Sequence, residues 1–536
     1  MEKELVESFK QFLKAGKVAD GISKDLRDEF SVNTGLEVPV INALEDGQDV
    51  IVAGSAGSGK THLIKSVEER EEFNLPEFVY LPSNKPVEAN NYIQVILDAT
   101  ALKNSEIHKI FQEESENSQA SIMAVNEGPL MELADEYPNS IFRDTLKDLR
   151  SAQRGIGREE FDSSMPLLVD VGSYDPIQDN VITQILNLSI LEEVVDKLDC
   201  CNEGSPCPRR EAWKQLKSQE VRQRINDLLR LVHFQGTPIL FRELWNFVKD
   251  LILGGSCDRN PPTSVWFWRI FNGNSKVSEK LRDVLNPNLV VFPRLESHLY
   301  YGDFYFEDIE LIVEKDLFVP PLSEAPYDKG DEFNWLKNQL FFLSSKWAPA
   351  EAIKDQVDLE LIDVLEDSRA RGVVSEINKY LSYNTIQASE QKLELWSDLG
   401  LEKRTKRPRG QVSFGQVATK DLELRRSLAI VNNSENSVKQ TYGSRYFLVD
   451  SKSNSSFHLS EEALSLIHSG RSYRTADRRH TDLEWLLANF YSKLADAREN
   501  LQQLPILNLE FSKMKGNKRM YNLSFEANNI EREANS

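Results

Sequence analysis

Short apolar runs alternate with longer polar, helix-like stretches over roughly the first third of the chain. Four of these runs have the length of a buried strand and end in polar or glycine residues, at 49–54, 78–81, 121–125 and 166–171. Strands that alternate with helices are typical of βαβ units, whose strands lie parallel in one sheet. The pattern therefore predicts an α/β fold that binds its ligand at the carboxyl ends of the strands.

Beyond this region the pattern predicts helices first and weaker, mixed signals afterwards. Residues 181–255 carry helix-periodic apolar positions, and this stretch stops at Gly254-Gly255, a pair typical of a helix C-terminus. Residues 331–400 also have a mostly helical pattern. The aromatic-rich segment 266–271 is expected to lie in a core, because large aromatic side chains contribute most to burial there.

Net charge and cysteine content limit which partners and which cell compartment the sequence predicts. The chain has 536 residues and a net charge of −21, so phosphates repel it, and nucleic-acid contact requires local basic patches or a partner protein. Two basic clusters, 403–409 and 471–480, are the candidates for such contact. There are only four cysteines, no signal-peptide pattern and no apolar run long enough for a membrane helix. We therefore predict a cytoplasmic protein without membrane contact.

The clearest chemical signal is a glycine-rich turn after the first predicted strand. Residues 54–61 have the sequence GSAGSGKT, which matches G-x-x-x-x-G-K-[ST] in full. Backbone N–H groups of such a loop point at phosphate, and the following helix start adds favourable partial charge. We expect Lys60 to reach the terminal phosphates and Thr61 to bind Mg²⁺. The expected ATP-binding residues are Gly54, Ser55, Ala56, Gly57, Ser58, Gly59, Lys60, Thr61 and His62.

A phosphate-binding loop of this kind works with a second strand that ends in an acidic residue, which helps to hold Mg²⁺ and orients the attacking water. Two strands qualify. After 121–125 come Asn126 and Glu127, where the Glu127 carboxylate can polarise water and the Asn126 amide can bind the metal. In 166–171, Asp170 offers a charged metal ligand, but no Glu follows it. We favour Glu127 as the catalytic base and Asp170 as part of a neighbouring sensor-like strand; both strands stay candidates.

Several short motifs occur in the order found in one group of bacterial P-loop ATPases. They are GSAGSGKTHL at 54–63, Asn126-Glu127-Gly128, Arg242-Glu243-Leu244, and the segments at 283–287 and 293–296. Over residues 40 to 305 the chain resembles the ATPases of DNA-phosphorothioation-dependent restriction, the DptF-like group, and related antiphage ATPases. The resemblance implies an AAA+-like P-loop NTPase core with a parallel sheet and a helical lid. It also implies that Arg242 acts from the lid as a catalytic residue.

In that group the ATPase acts beside other proteins that recognise and cut DNA. The resemblance therefore implies an ATP-binding and ATP-hydrolysing subunit of a bacterial restriction or antiphage defence complex, with ATP and Mg²⁺ as cofactors. Its expected partners are the other subunits and DNA, reached directly or through them, and a homo-oligomer is a further expectation. The alternative is a nucleotide-gated switch with little or no hydrolysis, because Asn126 stands where Asp is usual.

These expectations divide the chain into five regions. They are an N-terminal helical segment (1–40), the P-loop NTPase core (41–185), the helical lid (186–260), a mixed aromatic-rich and helical region (261–400) and a C-terminal region that contacts partners or DNA (401–536). The part that follows the lid is predicted to be mostly helical or mixed.

Overall fold

The computed structural model of the chain consists of two compact units. The first comprises residues 1–153, 157–357 and 428–444, and the second comprises 154–156, 358–427 and 445–536. The residues that the structure describes are 6, 9, 30, 32–70, 73, 75–82, 92–112, 118–158, 160–174, 176–177, 181–198, 207–234, 239–258, 262–287, 330–343, 370–381, 391–398, 410–432, 442–460, 463–464, 466–467, 478–496, 506–512 and 518–524.

A sheet of six strands lies at the centre of the first unit. The strands are β1 (Val50–Ala53), β2 (Glu77–Leu81), β3 (Tyr92–Ile96), β4 (Ser118–Val125), β5 (Leu167–Asp170) and β9 (Ile430–Val431). Their order is β2–β3–β4–β1–β5–β9; the first five run parallel, and β9 is antiparallel to β5. Parallel strands end at one edge of the sheet, so the residues that follow β1, β3, β4 and β5 meet there.

The rest of the described first unit is mostly helical. Its helices are α1 (Glu37–Glu45), α2 (Lys60–Glu68), α3 (Asn104–Gln112), α4 (Glu127–Glu136), α5 (Ile141–Ala152), α6 (Val181–Asn187), α7 (Ser189–Asp196), α8 (Pro208–Leu216), α9 (Gln219–Phe234), α10 (Phe241–Leu253), α11 (Trp266–Asn272), α12 (Lys276–Leu285) and α13 (Gly330–Leu343). Among the described helices, none has both the length and the apolar character needed to cross a membrane.

Apolar burial explains why these segments become strands and helices. All four residues of β1 and of β5 are buried, as expected for strands covered on both faces. Phe142 and Leu146, one helical turn apart on α5, pack into the same cluster as Met123 and Val125 of β4. In the aromatic segment, most side chains of α11 are buried, including that of Trp266, which confirms the prediction that they lie in a core.

The mostly parallel sheet confirms the α/β class, and the four predicted strands occur as β1, β2, β4 and β5. The sequence analysis missed β3, because the polar Gln94 interrupts its short apolar run. It also missed β9, whose two residues lie far along the chain from their partner strand. The side chain of Asn432 secures the end of β9: Nδ2 donates to the carbonyls of Asp162 and Met165, both at 2.9 Å.

The second unit is rich in strands in its described part. The elements of this unit are α14 (Ala370–Leu381), β6 (Lys392–Asp398), β7 (Gly410–Ala418), β8 (Leu422–Leu428), β10 (Tyr442–Asp450), β11 (Ser456–His458), α15 (Arg478–Asp496), β12 (Ile506–Ser512) and β13 (Lys518–Ser524). One sheet has the order β13–β12–β7–β6, and a three-stranded sheet has the order β11–β10–β8. This part of the chain was predicted to be mostly helical or mixed, and strands predominate among its described residues. The basic residues 403–409 and 471–474 lie outside the described residues.

A half-buried carboxyl directly before β1 predicts a pH-dependent stability. Asp49 accepts a hydrogen bond from the backbone N–H of Ser121 at 2.7 Å, and burial raises the pKa of Asp49 from 3.8 to about 6. The unfolded chain releases this proton at lower pH, so the stabilisation is present in acid and is lost as the pH rises through about 6. From about pH 4.5 to about pH 7.5, the wild type should lose about 2 kcal/mol of unfolding free energy relative to Asp49→Asn. Urea denaturation of both proteins measures this difference, and a difference that does not change with pH would contradict the assignment.

Candidate functional site

The loop between β1 and α2 adopts the backbone conformation that its glycines allow. The φ angle is +152° at Gly54, +85° at Gly57 and +109° at Gly59, a region that residues with a Cβ rarely occupy. Space is also short at Gly54, where a Cβ would lie 2.6 Å from Ser58 Oγ and 3.0 Å from the backbone N of Gly172. The loop therefore closes tightly on itself and on the turn that follows β5.

The loop presents polar groups that a bound phosphate would satisfy. Gly59 is the N-cap of α2 and makes no side-chain hydrogen bond to the first N–H groups of the helix. The Ser58 hydroxyl is buried, and within the described part of the chain no hydrogen-bond partner reaches it. Phosphates bind at helix N-termini because such N–H groups point at them and the helix dipole favours negative charge. The predicted ATP-binding residues, including Thr61 at the first turn of α2, surround these groups.

The ammonium group of Lys60 lies against the start of the loop. Its Nζ donates hydrogen bonds to the carbonyls of Gly54 at 2.8 Å and Ser55 at 2.9 Å, and to Asn126 Oδ1 at 2.7 Å. Asn126 directly follows β4, which pairs with β1, so the strand order brings this amide to the loop. The sequence analysis placed Lys60 and Asn126 in one site, and the geometry joins them.

Asp98, which the sequence analysis did not select, acts on Lys60 from the end of β3. Burial lowers the pKa of Lys60, whereas the charges of Asp98 and Asp170 raise it, and Asp98 has the larger effect. Asp98 caps a short 3-10 turn: its Oδ1 accepts hydrogen bonds from the N–H and hydroxyl of Thr100 at 3.0 and 2.7 Å. No hydrogen bond from a described residue reaches its Oδ2. This oxygen is therefore available to a metal ion or to a metal-bound water.

The signal for Asp98 was present in the sequence. Residues 95–97 are apolar and directly precede it, but the polar Gln94 interrupts the apolar run of β3 and concealed the strand. No cluster of three or more His, Cys, Asp or Glu residues that could hold a metal occurs among the described residues. Magnesium bound to phosphates needs only one or two protein ligands, so Thr61 and Asp98 are sufficient in number.

Glu127 is the first residue of α4 and lies at the surface beside Asn126. Its Oε1 is 3.8 Å from Nε of Arg150 on α5, and the two side chains are 52% and 47% exposed. Ion pairs at such exposure are weak, so this contact does not fix the carboxylate in one position. The assignment of Glu127 as the catalytic base stays a prediction.

Asp170 lies deeper than the other predicted site residues. The residue is 2% exposed, and its carboxylate accepts hydrogen bonds from the Ser173 hydroxyl at 2.6 Å, the Gly172 N–H at 3.0 Å and Gln153 Nε2 at 3.5 Å. Burial raises the pKa of Asp170, and these hydrogen bonds oppose that shift. Such contacts are those of a residue that caps a strand end. Its assignment as a metal ligand stays a prediction, for which Asp98 is now a competitor.

Helix α10, which carries the predicted lid residue Arg242, begins beside the phosphate-binding loop. Arg242 on α10 holds its guanidinium group against Gly57, where an added Cβ would lie 3.4 Å from Nε and Cζ of the arginine. Beside it, the ring of Phe241 stacks on the imidazole of His62, with centroids 5.5 Å apart and planes at 24°. The predicted residues Arg242 and His62 thus lie at the same loop as Lys60.

Comparison of the chain with protein-family models, curated proteins and solved structures gave no match. The interpretation of the site therefore depends on its own geometry and chemistry.

Proposed function

We propose that the chain is a magnesium-dependent ATPase with a P-loop NTPase fold, in which residues 54–61 bind the phosphates. The observation that supports this most strongly is the environment of Lys60. Its ammonium is bonded to the start of the glycine-rich loop and to Asn126. In addition, Asp98 and Arg242 lie close enough to shift its pKa in opposite directions. Cations, an amide and a carboxylate around a phosphate-binding turn are the components that phosphoryl transfer requires.

Each residue has a defined task in this proposal. Lys60 and Arg242 neutralise the negative charge that develops on the transferred phosphoryl group, and Glu127 accepts a proton from the attacking water or orients it. Thr61 and Asp98 would hold Mg²⁺, which supplies charge neutralisation between the phosphates. Asn126 links Lys60 to the end of β4 and keeps the ammonium in place.

The biological part of the proposal is a role in bacterial DNA restriction or antiphage defence, with partner subunits and DNA. Its support is the order of short motifs that resemble the DptF-like ATPases. Because a net charge of −21 repels DNA phosphates, we expect partner subunits or local basic patches to make any contact with DNA.

A nucleotide-gated switch is the second candidate function. Ala99 follows Asp98 directly, so no second carboxylate stands beside this acid in the chain. Glu127 is then the candidate catalytic base, and its carboxylate lies near Arg150. A protein that binds ATP and hydrolyses it slowly would be compatible with both observations.

Phosphate release from Mg-ATP tests the proposal. We expect release by the wild type and a loss of about 10²–10³-fold in Glu127→Gln, with stimulation by duplex DNA if the complex acts on DNA. Glu132→Gln, at an exposed position of the same helix, is the matched control and should retain wild-type release. Nucleotide binding without release in any of these proteins would favour the switch. Release that is equal in wild type and Glu127→Gln would exclude Glu127 as the base.

Removing the guanidinium of Arg242 should slow hydrolysis without unfolding the protein. We expect Arg242→Ala to lower the rate of release by about 10–10²-fold, because one charge that faces the developing anion is lost. Arg242→Lys retains the charge and should recover part of the rate. Steady-state kinetics with matched melting temperatures provide the measurement, and a rate unchanged in Arg242→Ala would show that the residue only packs against Gly57.

A further inference from the structure

The three-stranded sheet of the second unit gathers positively charged side chains on one face. Phe447 of β10 lies opposite His458 of β11, so these side chains share a face, and their rings pack with centroids 5.0 Å apart. Alternation along β10 places Arg445 on the same face, two residues before Phe447. We call this surface the Arg445 face.

Strand β8 adds a second arginine to the Arg445 face. The backbone N–H of Arg445 donates to Ser427 Oγ at 3.3 Å, so Ser427 lies beside Arg445 on the neighbouring strand. Arg425 precedes Ser427 by two residues and therefore lies on the same face. On the other side of the sheet, Cζ of Arg426 is 5.3 Å from the centre of the Tyr446 ring, as the same alternation requires.

A third arginine reaches the edge of this face from a distant part of the chain. Gly155 packs closely on β8, since an added Cβ would lie 2.9 Å from Cβ of Arg425. Arg154 directly precedes this glycine and is exposed. The close approach at Gly155 therefore brings the charge of Arg154 to the neighbourhood of Arg425.

Positive charge exceeds negative charge on the Arg445 face. Glu423 forms an ion pair with Arg425 at 2.8 Å, and the two side chains are 50% and 31% exposed. Arg445 is exposed, and no acid in the described part of the chain forms an ion pair with its guanidinium. Burial against the sheet and, to a smaller extent, the charge of Arg445 lower the pKa of His458. In a chain with a net charge of −21, such a surface is where an anionic partner would bind.

The apolar side chains of the Arg445 face are not accessible to a partner. Phe447 is 6% exposed, and Val449, two residues further along β10, is fully buried. Proteins hold single-stranded nucleic acid by stacking its bases on open aromatic rings, and they hold other proteins through aromatic or aliphatic anchors. The phosphate backbone of a duplex requires only cations and short polar groups, so it fits this face best.

We propose that the Arg445 face is a contact surface for the phosphate backbone of duplex DNA. Arg425, Arg445 and His458 lie on three neighbouring strands. Neighbouring strands are about 4.8 Å apart, so the three side chains span about 10 Å, a distance over which a duplex carries several phosphates. The inference rests on the DNA-binding part of the proposed function and does not depend on ATP hydrolysis.

Fluorescence anisotropy of a short labelled DNA duplex, titrated with the full-length protein, tests the proposal. We expect Arg445→Glu to weaken binding by at least about tenfold at low salt. It should also reduce the slope of log affinity against log salt concentration by about one, because a phosphate contact is lost.

Lys493→Glu is the matched control, because it changes the net charge equally from the other side of the sheet. Lys493 is exposed on α15, and Phe490 of this helix packs on Phe457, which lies on the side of β11 opposite to His458. We expect Lys493→Glu to bind the duplex within about twofold of the wild type. Melting temperatures show that both variants are folded.

Two further variants separate this surface from the ATP site. Arg445→Lys retains the charge and should recover most of the affinity, and Lys60→Ala should bind the duplex as the wild type does. Four results would overturn the proposal: no binding of the duplex to the wild type, equal losses in Arg445→Glu and Lys493→Glu, tighter binding of the corresponding single strand, or tighter binding of a polyglutamate peptide.

Discussion

Lys60→Ala should reduce ATP turnover by at least about 10²–10³-fold, an effect as large as any that we expect from a single substitution. The wild-type ammonium makes three contacts, to Gly54, Ser55 and Asn126, and would be the cation nearest the transferred group. Alanine removes this charge where phosphoryl transfer depends almost entirely on positioning and charge neutralisation. Phosphate release at saturating Mg-ATP is the measurement.

The matched control for this prediction is the other lysine of the same helix. Lys65→Ala breaks an ion pair with Glu68 at 3.0 Å and should leave the rate of release within about twofold of the wild type. Melting temperatures of both variants show whether each is folded. Turnover that persists in a folded Lys60→Ala protein would remove this loop from the mechanism.

A second large effect, on magnesium dependence, distinguishes Asp98 from Asp170 as the metal ligand. Asp98→Asn should raise the Mg²⁺ concentration needed for half-maximal release and lower the maximal rate by about 10²-fold, because a charged metal ligand becomes neutral. Asp98 is exposed, so we expect little change in stability. Magnesium titrations of turnover provide the measurement.

Asp170→Asn should show the opposite combination. Its carboxylate accepts hydrogen bonds from Ser173, Gly172 and Gln153, so the amide leaves at least one donor without an acceptor. We expect a loss of about 1–3 kcal/mol of unfolding free energy and an unchanged magnesium midpoint. If Asp170→Asn shifts the midpoint and Asp98→Asn does not, the sequence-based choice of Asp170 as the metal ligand is correct and the assignment to Asp98 is wrong.

The local features of the site could be predicted from the sequence. The loop at 54–61 depends on glycine φ angles and on a helix start, which neighbouring residues determine. Arg242 was selected through a resemblance; its guanidinium lies against Gly57, and its catalytic role stays a prediction.

The features that the sequence did not reveal depend on contacts distant along the chain. Asp98 becomes part of the site only because β3 is the second strand from β1, and its own apolar run is broken by Gln94. The edge strand β9 exists because Leu168 and Val169 of β5 pair with two residues from a segment hundreds of positions later. The two residues of β9 are too few to carry a periodic pattern that could predict this pairing.

The most direct test of the central claim, that residues 54–61 form an ATP site, is calorimetric titration of the purified chain with Mg-ATP. We predict saturable binding of one nucleotide per chain in the wild type. We also predict weakening by at least about tenfold in Lys60→Ala, whose ammonium bonds to the start of the loop. The absence of binding to the folded wild type, or equal affinity in both proteins, would contradict the account.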